Sequence, residues 1–310
     1  MSAPIRVLVS GAGRMGRLIL DAVDADPSMV AVGMFRHPVS YPSSMSESIR
    51  VLVSGAGKMG RLIVDAVDED ASTTAVGVVD KLAEPATITL PSGGVVPLLT
   101  DADAAFDQTK PDVVVDFTNA AWTPVLADAA LSRGVRMVIG TTGLPQSFVD
   151  DLAARCAERK LGSLIAANYT IGAVLMMHMA KIAARFFESA EIIELHHDQK
   201  VDAPSGTSIS TARGMIEGRD GRAFGRNIPN AETIAGTRAG AYDGITIHSV
   251  RLRGMVAHQE VLFGGPGETL SIRHDSISRE AYMPGILLAV REVMKREELV
   301  IGLDALMGVG

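Results

Sequence analysis

The chain has 310 residues, 47% of them hydrophobic and 21% charged, which predicts one or two folded domains and excludes a disordered tail or a disulfide-stapled mini-domain. The 29 Lys and Arg residues against 36 Asp and Glu give a net charge of −7, which argues against sequence-independent binding of nucleic acid, because such binding neutralises phosphates. The single cysteine, Cys156, excludes an internal disulfide and is predicted to fill the core.

Two stretches of the sequence are apolar enough to raise the question of a targeting or membrane segment. The chain start, MSAPIRVLVSGAG, carries Arg6 inside its apolar part, so it lacks the apolar core of a signal peptide and we expect a cytoplasmic protein. Residues 161–180 contain no Asp, Glu, Lys or Arg, but a polar turn before Gly172 interrupts them. They predict a buried strand, a turn and a helix that begins near Gly172, rather than a membrane span.

The chain begins with a duplication. Residues 5–33 recur at residues 49–77, with 23 identities in 29 aligned positions. Each copy is typical of a βαβ unit, in which a short strand, a glycine-rich turn, an amphipathic helix and a second strand follow one another. No third copy follows, so a solenoid is not expected.

The turn of the second copy reads GAGKMG, from Gly55 to Gly60. Gly55 allows the tight turn, Gly57 lets the backbone approach a pyrophosphate, and Gly60 lets the helix pack on the strand. The first N–H groups of that helix would face the phosphates. A glycine-rich turn without a ligand is the alternative, but Asp80 follows at the distance typical of dinucleotide-binding units.

The two copies differ at the position of Asp80, which is Arg36 in the first copy. A carboxylate can accept from the 2′-hydroxyl of an adenosine ribose, whereas Arg36 with His37 would suit a 2′-phosphate. Lys81 could also pair with a 2′-phosphate. NADH and NADPH therefore both remain open.

Only one strand can occupy the centre of a doubly wound sheet. The second copy continues directly into further βα units, so we favour it for that position. Residues 1–44 are then an appendage that ends in a Pro- and Ser-rich linker before Met45. Exchange of the near-identical strands between copies is the alternative.

After Asp80, predicted strands and helices alternate regularly along the chain. The unbroken runs of Val and Ile in the predicted strands indicate that these strands are parallel and covered by helices on both faces. Ligands are then expected at the carboxyl ends of the strands. The predicted elements are a hairpin or edge element around Pro91–Gly94, a helix from Asp101, strands at 112–118 and 136–142, and helices at 124–133 and 146–160.

Small or polar residues stand at three predicted strand ends, at Thr118-Asn119, Gly140–Thr142 and Ala166–Tyr169. Ordinary turn chemistry accounts for any one of them. Because all three belong to the predicted ligand edge, we expect them to line a cofactor.

Residues 191–208, EIIELHHDQKVDAPSGTS, carry the reactive side chains. They predict a strand that ends at His196 and His197, with His196 and Lys200 on one side if the segment stays extended. An imidazole and an ammonium so placed suit proton donation and the binding of a carboxylate. Ser205, Gly206 and Thr207 open a helix whose N-terminus forms an anion site.

Two alternatives compete for this segment. A zinc site would need three or four ligands with defined spacing, and no further Cys or His lies nearby in the sequence. A surface loop followed by a capped helix is the other alternative. We predict no metal.

The string ELHHDQKVDAPSGT, preceded in order by SGAGKMGR, VDFT, GTTG and AANYTIG, closely resembles the bacterial 4-hydroxy-tetrahydrodipicolinate (dihydrodipicolinate) reductases. The resemblance covers residues 45 to the end. It implies NADH- or NADPH-dependent reduction of 4-hydroxy-tetrahydrodipicolinate, a small dicarboxylate, in lysine and diaminopimelate biosynthesis. It also implies a homotetramer formed through the sheet of the second domain.

The resemblance implies roles for single residues as well. His196 would be the proton donor and Lys200 a second one, while His197, Lys200, Gly206 and Thr207 would hold the substrate carboxylates. The cofactor would contact Gly55, Ala56, Gly57, Lys58, Met59, Gly60, Asp80, Lys81, Gly140, Thr141, Thr142, Ala166, Ala167, Asn168 and Tyr169.

The expected fold is α/β, a Rossmann-like doubly wound parallel sheet plus an α+β substrate and oligomerisation domain with a mixed, largely antiparallel sheet. Residues 45–168 and 279–310 form the first domain and residues 169–278 the second, with the last helix, 279–296, packed on the nucleotide domain. We expect His258 and His274 on the surface of the second sheet.

Two other functions remain open at this point. One is a different NAD(P)-dependent dehydrogenase of amino or hydroxy acids. The other is a nucleotide-binding protein in which the duplication has disabled turnover.

Overall fold

The computed structural model describes residues 5–10, 23, 25, 29–35, 48–226, 229 and 231–309. Two units, residues 1–48 and 49–310, are distinguished by their internal contacts. In the first unit, β1 (Ile5–Ser10) and β2 (Met29–Phe35) pair in parallel as a two-stranded sheet. The glycine-rich turn of the first copy, Arg36, His37 and the linker lie outside the described residues.

The second unit contains two sheets and the helices that cover them. Its strands are β3 (Ile49–Ser54), β4 (Thr73–Val79), β5 (Ala86–Thr89), β6 (Val95–Leu99), β7 (Val113–Asp116), β8 (Arg136–Ile139), β9 (Ser163–Ile165), β10 (Ser189–His196), β11 (Gly240–Tyr242), β12 (Ile245–Arg251), β13 (Ala257–Gly265), β14 (Glu268–Ser276) and β15 (Leu299–Ile301). Its helices are α1 (Lys58–Glu69), α2 (Ala102–Thr109), α3 (Thr123–Ser132), α4 (Gln146–Arg159), α5 (Ile171–Ala183), α6 (Gly206–Gly218), α7 (Met283–Val293) and α8 (Leu303–Met307).

The larger sheet has the strand order β15-β9-β8-β7-β3-β4-β6-β5. Neighbouring strands are parallel except in the β5–β6 hairpin, which is antiparallel. The strand of the second copy, β3, lies at its centre between β4 and β7, and its Val51, Leu52 and Val53 are fully buried. This is the position that the sequence favoured for the second copy.

Helices cover both faces of this sheet, which explains why its strands are almost entirely apolar. One face packs against α1 and α7 through Ile63, Val67, Ile286 and Val290. The other face packs against α2, α3 and α4, and the core there includes Cys156, as predicted.

The end of the chain returns to the nucleotide sheet, as predicted. A short 3₁₀ turn, Arg279–Tyr282, leads into α7, whose buried face joins the core formed by β3 and α1. Residues 161–180 form β9, a turn and most of α5. Within the described ranges, no helix has the length and apolarity needed to cross a membrane.

The second sheet has the order β11-β12-β10-β13-β14. Its central strand, β10, is parallel to β12 and antiparallel to β13, so the sheet is mixed and largely antiparallel, as expected. Helices α5 and α6 cover one face, where Met176 and Met215 pack against Ile192. Because side chains alternate along a strand, Glu194 and His196 lie on the same helix-covered side as Ile192.

Candidate active site

One cleft of ≈ 1860 Å³ is lined by residues of both sheets and their helices. It brings together residues from the start of α1, the carboxyl ends of β8 and β9, the end of β10 and the start of α6. The predicted site residues on its wall are Lys58, Met59, Thr142, Ala166, Ala167, Asn168, His196, His197, Lys200, Gly206 and Thr207.

The glycine-rich turn has the geometry that its spacing predicts. Gly55 has φ +98, a backbone conformation that favours glycine. A Cβ at Gly60 would lie 1.8 Å from the carbonyl oxygen of Gly55, whereas a Cβ at Gly57 would meet no atom within 4 Å. Gly60 therefore serves helix packing, and Gly57 leaves room for an approaching ligand.

Helix α1 begins at Lys58, within the GAGKMG motif. Its N-cap, Gly57, has no side chain to bond the first N–H groups, and no acidic residue lies in the first turn. These N–H groups and the helix dipole are therefore available to an anion. A pyrophosphate fits this part of the site.

Asp80 and Lys81 lie in a second, smaller cleft of ≈ 260 Å³, together with Thr118, Asn119 and Trp122. Asp80 accepts hydrogen bonds from the backbone N–H groups of Ala56 (2.8 Å) and Leu82 (2.9 Å). Each carboxylate oxygen keeps capacity for a further donor. This cleft is where an adenosine ribose would lie if the turn binds a dinucleotide.

Asp116, which the sequence analysis did not single out, organises two of the predicted strand ends. Its carboxylate is buried and accepts from the hydroxyls of Thr118 (2.6 Å), Thr123 (2.6 Å) and Thr141 (3.0 Å). Thr141 Oγ1 in turn accepts from the backbone N–H of Thr118 at 3.0 Å. The sequence does contain a signal for Asp116, because it is an acidic residue at the end of an otherwise apolar strand.

Three predicted cofactor residues serve packing at this edge. Thr141 is buried by its bonds to Asp116, and a Cβ at Gly140 would lie 2.2 Å from the ring of Phe117. Tyr169 is fully buried, its ring packs at a tilt against Phe117 with 5.0 Å between ring centroids, and its hydroxyl donates to the Ile139 carbonyl at 2.9 Å. Burial raises the pKa of Tyr169 well above its usual range. Its side chain therefore lies outside the cleft.

His196, the last residue of β10, is bonded to a carboxylate that also forms an ion pair with an arginine. Its Nδ1 is hydrogen-bonded to Oε2 of Glu194, whose side chain is 0% exposed. Arg251 on β12 donates to both oxygens of Glu194, at 2.9 and 2.8 Å. In the part of the chain that the structure describes, no protein group bonds His196 Nε2, so this nitrogen is left for a ligand in the cleft.

The charges around His196 oppose one another. Burial lowers the pKa of His196, Glu194 acts against that shift, and the positive charges of Lys200 and Arg251 add to it, so that the pKa lies below its usual value. Burial alone would raise the pKa of Glu194, but hydrogen bonds from Arg251, Ser249 and His196 hold it below its usual range. Glu194 is therefore the anion that favours a protonated His196.

The loop after β10 carries the other predicted groups. Lys200 Nζ pairs with Oδ1 of Asp202 at 2.7 Å, and its side chain is only 21% exposed. His197 is exposed at the mouth of the cleft. The structure thus brings His196, His197 and Lys200 to one cleft wall.

The start of α6 closes the same wall. Ser205 is its N-cap and accepts from the N–H of Ser208 at 3.2 Å, which leaves Gly206 and Thr207 facing the cleft. Ser208 donates to Gln259 on β13 at 2.7 Å, and this buried bond fixes the helix on the sheet. The predicted anion site is thus held rigidly.

His258 and His274 lie on β13 and β14, are partly exposed, and in addition line the cleft wall. His258 Nε2 accepts from the N–H of Val256 (3.2 Å), so its Nδ1 carries the proton and donates to Asp275 (2.7 Å). Burial lowers the pKa of His274, whose ring packs on Gly172. The placement depends on the β13–β14 pairing and on α5, which local sequence does not reveal.

Among the residues with a described placement, no three or more His, Cys, Asp or Glu side chains form a group that could hold a metal ion.

Comparison with known proteins identifies similar sequences. Residues 49–169 match the family model for the N-terminus of dihydrodipicolinate reductase, and residues 172–307 match the model for its C-terminus. A 4-hydroxy-tetrahydrodipicolinate reductase of Dehalococcoides mccartyi is 46% identical over 230 residues, 74% of this chain and 86% of that protein. One of Geobacillus kaustophilus is 49% identical over 217 residues, 70% of this chain and 81% of that protein.

Solved structures give the same relationship. The dipicolinate-bound dihydrodipicolinate reductase from Paenisporosarcina sp. TG-14 is 39% identical and superposes with a TM-score of 0.75, covering 84% of this chain and 99% of that one. An amine dehydrogenase from Mycobacterium smegmatis, 14% identical with a TM-score of 0.60, covers 84% of this chain and 96% of that one, and shares the fold.

Proposed function

The chain belongs to the dihydrodipicolinate reductase family, and from this premise we propose how its residues work in the NAD(P)H-dependent reduction of 4-hydroxy-tetrahydrodipicolinate in lysine and diaminopimelate biosynthesis. One observation carries the proposal. A single cleft is lined by the ligand edge of the nucleotide sheet, by His196 and Lys200, and by the N-terminus of α6.

The nucleotide sheet and its turn hold the cofactor. The open space at Gly57 and the uncapped start of α1 accommodate the pyrophosphate, and the residues around Asp80 accommodate the adenosine ribose. Thr142 and Ala166 to Asn168 line the cleft where the nicotinamide would lie. When bound, the reduced nicotinamide supplies a hydride from its C4 to the substrate.

His196 donates the proton that accompanies the reduction. As an imidazolium, it gives the proton of Nε2 to the substrate while Nδ1–H remains bonded to Glu194. A positioned acid of this kind contributes a factor of about 10² to 10⁴ in rate. Lys200, partly buried beside Asp202, is the second proton donor.

The substrate carboxylates bind between the loop after β10 and the start of α6. His197 and Lys200 supply positive charge, and Gly206 and Thr207 supply N–H groups and a hydroxyl at a helix N-terminus. Two fixed carboxylates determine which carbon of the ring meets the cofactor.

Both coenzymes are proposed to bind. Asp80 suits the 2′-hydroxyl of NADH, and the neighbouring Lys81 suits the 2′-phosphate of NADPH. The relative strength of the Asp80 and Lys81 contacts determines the preference between NADH and NADPH.

We assign residues 45–168 and 279–310 to the nucleotide domain, residues 169–278 to the substrate domain and residues 1–44 to an appendage. The face of the second sheet opposite α5 and α6 would form the contacts of a homotetramer. Action in the cytoplasm stays a prediction.

A coupled assay tests the proposed function. Freshly synthesised substrate should be reduced with NADH and with NADPH, and dipicolinate should inhibit. His196→Gln and Lys200→Ala should each lower kcat by about 10²-fold or more, with little change in cofactor binding. Full activity in both variants would refute the assigned roles, and cofactor binding without turnover of the substrate would favour a non-catalytic protein.

A further inference from the structure

The buried Glu194 and the partly buried Arg251 form an ion pair that contacts His196 but lines neither cleft. The Glu194 side chain is 0% exposed, and Arg251 grips it with two hydrogen bonds. Isolated carboxylates are costly to bury, so this pair is held in place at some cost to the fold. Its position directly behind the proposed acid suggests that the cost serves the reaction.

The pairing of β10 with β12 sets the geometry. Arg251 stands opposite His196 in the parallel register, and Glu194 lies two residues before His196 on the same face. Oε2 of Glu194 is hydrogen-bonded to both Arg251 and His196, while Oε1 accepts from the other Nη of Arg251. The bidentate grip therefore fixes the oxygen to which the imidazole is bonded.

Arg251 also reaches the loop that carries the second acid. Its Nη2 donates to the backbone carbonyl of Asp202 at 2.6 Å, and Asp202 pairs with Lys200 through its side chain. One guanidinium thus connects the partner of His196 to the partner of Lys200.

We propose that Glu194 and Arg251 are positioning residues for the reduction: they keep the proton on His196 Nδ1, direct Nε2 into the cleft and set the spacing between His196 and Lys200. This inference rests on the proposed role of His196 as the acid. Proton transfer leaves the electron pair of the Nε2–H bond on nitrogen, and the neutral imidazole that results still donates Nδ1–H to Glu194.

Glu194 and Arg251 carry opposite charges next to His196. A positioning role therefore predicts opposite effects of their removal on the protonation of His196, which a purely structural role does not predict. Glu194 lies on the same strand, Arg251 on β12 and Lys200 on the following loop, while β13 places the neutral Ala257 opposite His196. The nearby start of α6 contributes neutral serines. Removing the anion should make His196 harder to protonate, and removing the cation should make it easier.

The test compares pH profiles of kcat/KM for Glu194→Gln and Arg251→Gln. Because the acid must be protonated, activity falls as pH rises through the pKa of His196. We expect this falling limb to move to lower pH in E194Q and to higher pH in R251Q. In E194Q at neutral pH, kcat should fall about 10-fold for each pH unit by which the limb moves, because less of His196 is protonated, and KM should change little.

Glu191→Gln is the matched control. Glu191 lies on the same strand with an arginine and a histidine partner, Arg238 and His248, but on the opposite face of the sheet. E191Q should leave the profile unmoved. The number of protons taken up when dipicolinate binds, measured by calorimetry, gives a readout independent of turnover. The pH range over which this uptake occurs should shift to lower pH in E194Q, as the falling limb of the activity profile does.

An unmoved limb in E194Q, or shifts of the same sign in E194Q and R251Q, would overturn the proposal. If E194Q does not yield folded protein, R251Q alone tests the proposal. A falling limb of R251Q that is unmoved or shifted to lower pH would then refute it. If His196→Gln is inactive while E194Q matches the wild type, only the positioning role fails. If His196→Gln keeps full activity, the proposed function of His196 fails first.

Discussion

Asp80, the residue after β4, accepts a hydrogen bond at 2.8 Å from the backbone N–H of Ala56 in the glycine-rich turn after β3. This bond ties the turn to the neighbouring strand of the sheet. Arginine has no acceptor, so Arg36 of the first copy could not make the same bond. The duplicated sequences are therefore not equivalent at the turn that defines the cofactor site.

The copies also differ in side-chain volume at buried positions of β4. Thr73, Val78 and Val79 are buried there, and the first copy has Met29, Met34 and Phe35 at the corresponding positions. Each enlargement of a packed core position costs about 1–3 kcal/mol. The first copy thus fits the centre of the eight-stranded sheet less well than the second, despite its near-identical sequence.

Removal of residues 1–44 should accordingly leave the remaining protein intact. We expect the thermal unfolding temperature and the affinity for NADH and NADPH to stay close to those of the full chain, as measured by calorimetry and fluorescence titration. The triple change Thr73→Met, Val78→Met and Val79→Phe is the companion variant, which should destabilise the truncated protein. A large loss of cofactor affinity on truncation would refute the appendage interpretation.

Asp80→Asn should change coenzyme preference. The amide keeps an oxygen for the Ala56 N–H but removes the negative charge beside a 2′-phosphate, so the KM for NADH should rise about 10-fold, equivalent to ~1.4 kcal/mol, while that for NADPH should rise less or fall. Lys81→Ala should weaken NADPH selectively. Equal effects of D80N on both coenzymes would place the ribose elsewhere.

Gly57→Ala and Gly60→Ala should separate binding from folding. A Cβ at residue 57 meets no protein atom within 4 Å, so G57A should fold normally and lose cofactor affinity, because the methyl group blocks the pyrophosphate. A Cβ at residue 60 would lie 1.8 Å from the Gly55 carbonyl oxygen, so G60A should unfold at a lower temperature. Melting curves and fluorescence titrations measure the two effects, and a stable G57A that binds as well as wild type would argue against the phosphate site.

The sequence predicted the elements whose signals are local. The strand, turn and helix of 49–69 and the hairpin around Pro91–Gly94 follow from periodicity and turn chemistry. The contact of Glu194 with Arg251 depends on the register of β10 with β12, which no local pattern fixes. That His258 lines the cleft was not predicted for the same reason, because strand alternation gives a face but not what packs against it.

Stability should fall as the pH drops below neutral. Burial lowers the pKa of His196 and His274 below the usual 6.5, so the unfolded chain binds more protons than the folded one in the window below 6.5. Their contribution is complete above that pH and is lost as the pH falls toward their folded pKa values. Urea unfolding between about pH 8 and about pH 5 measures this slope, which His274→Gln should reduce; stability that rises on acidification would contradict it.

Asp116→Ala should impair both stability and cofactor binding, because one buried carboxylate holds three threonine hydroxyls at the ligand edge. A buried hydroxyl left without a partner costs about 1–3 kcal/mol, and freeing Thr118 and Thr141 should loosen two strand ends that we propose line the cofactor site. Asp112→Ala is the control at the other end of the same strand, where the lost bond is to the exposed backbone N–H of Arg50. Urea unfolding and NADH titration should therefore show a large joint effect in D116A and a small effect on stability alone in D112A, and D116A protein that binds NADH like wild type would show that these threonines do not shape the cofactor site.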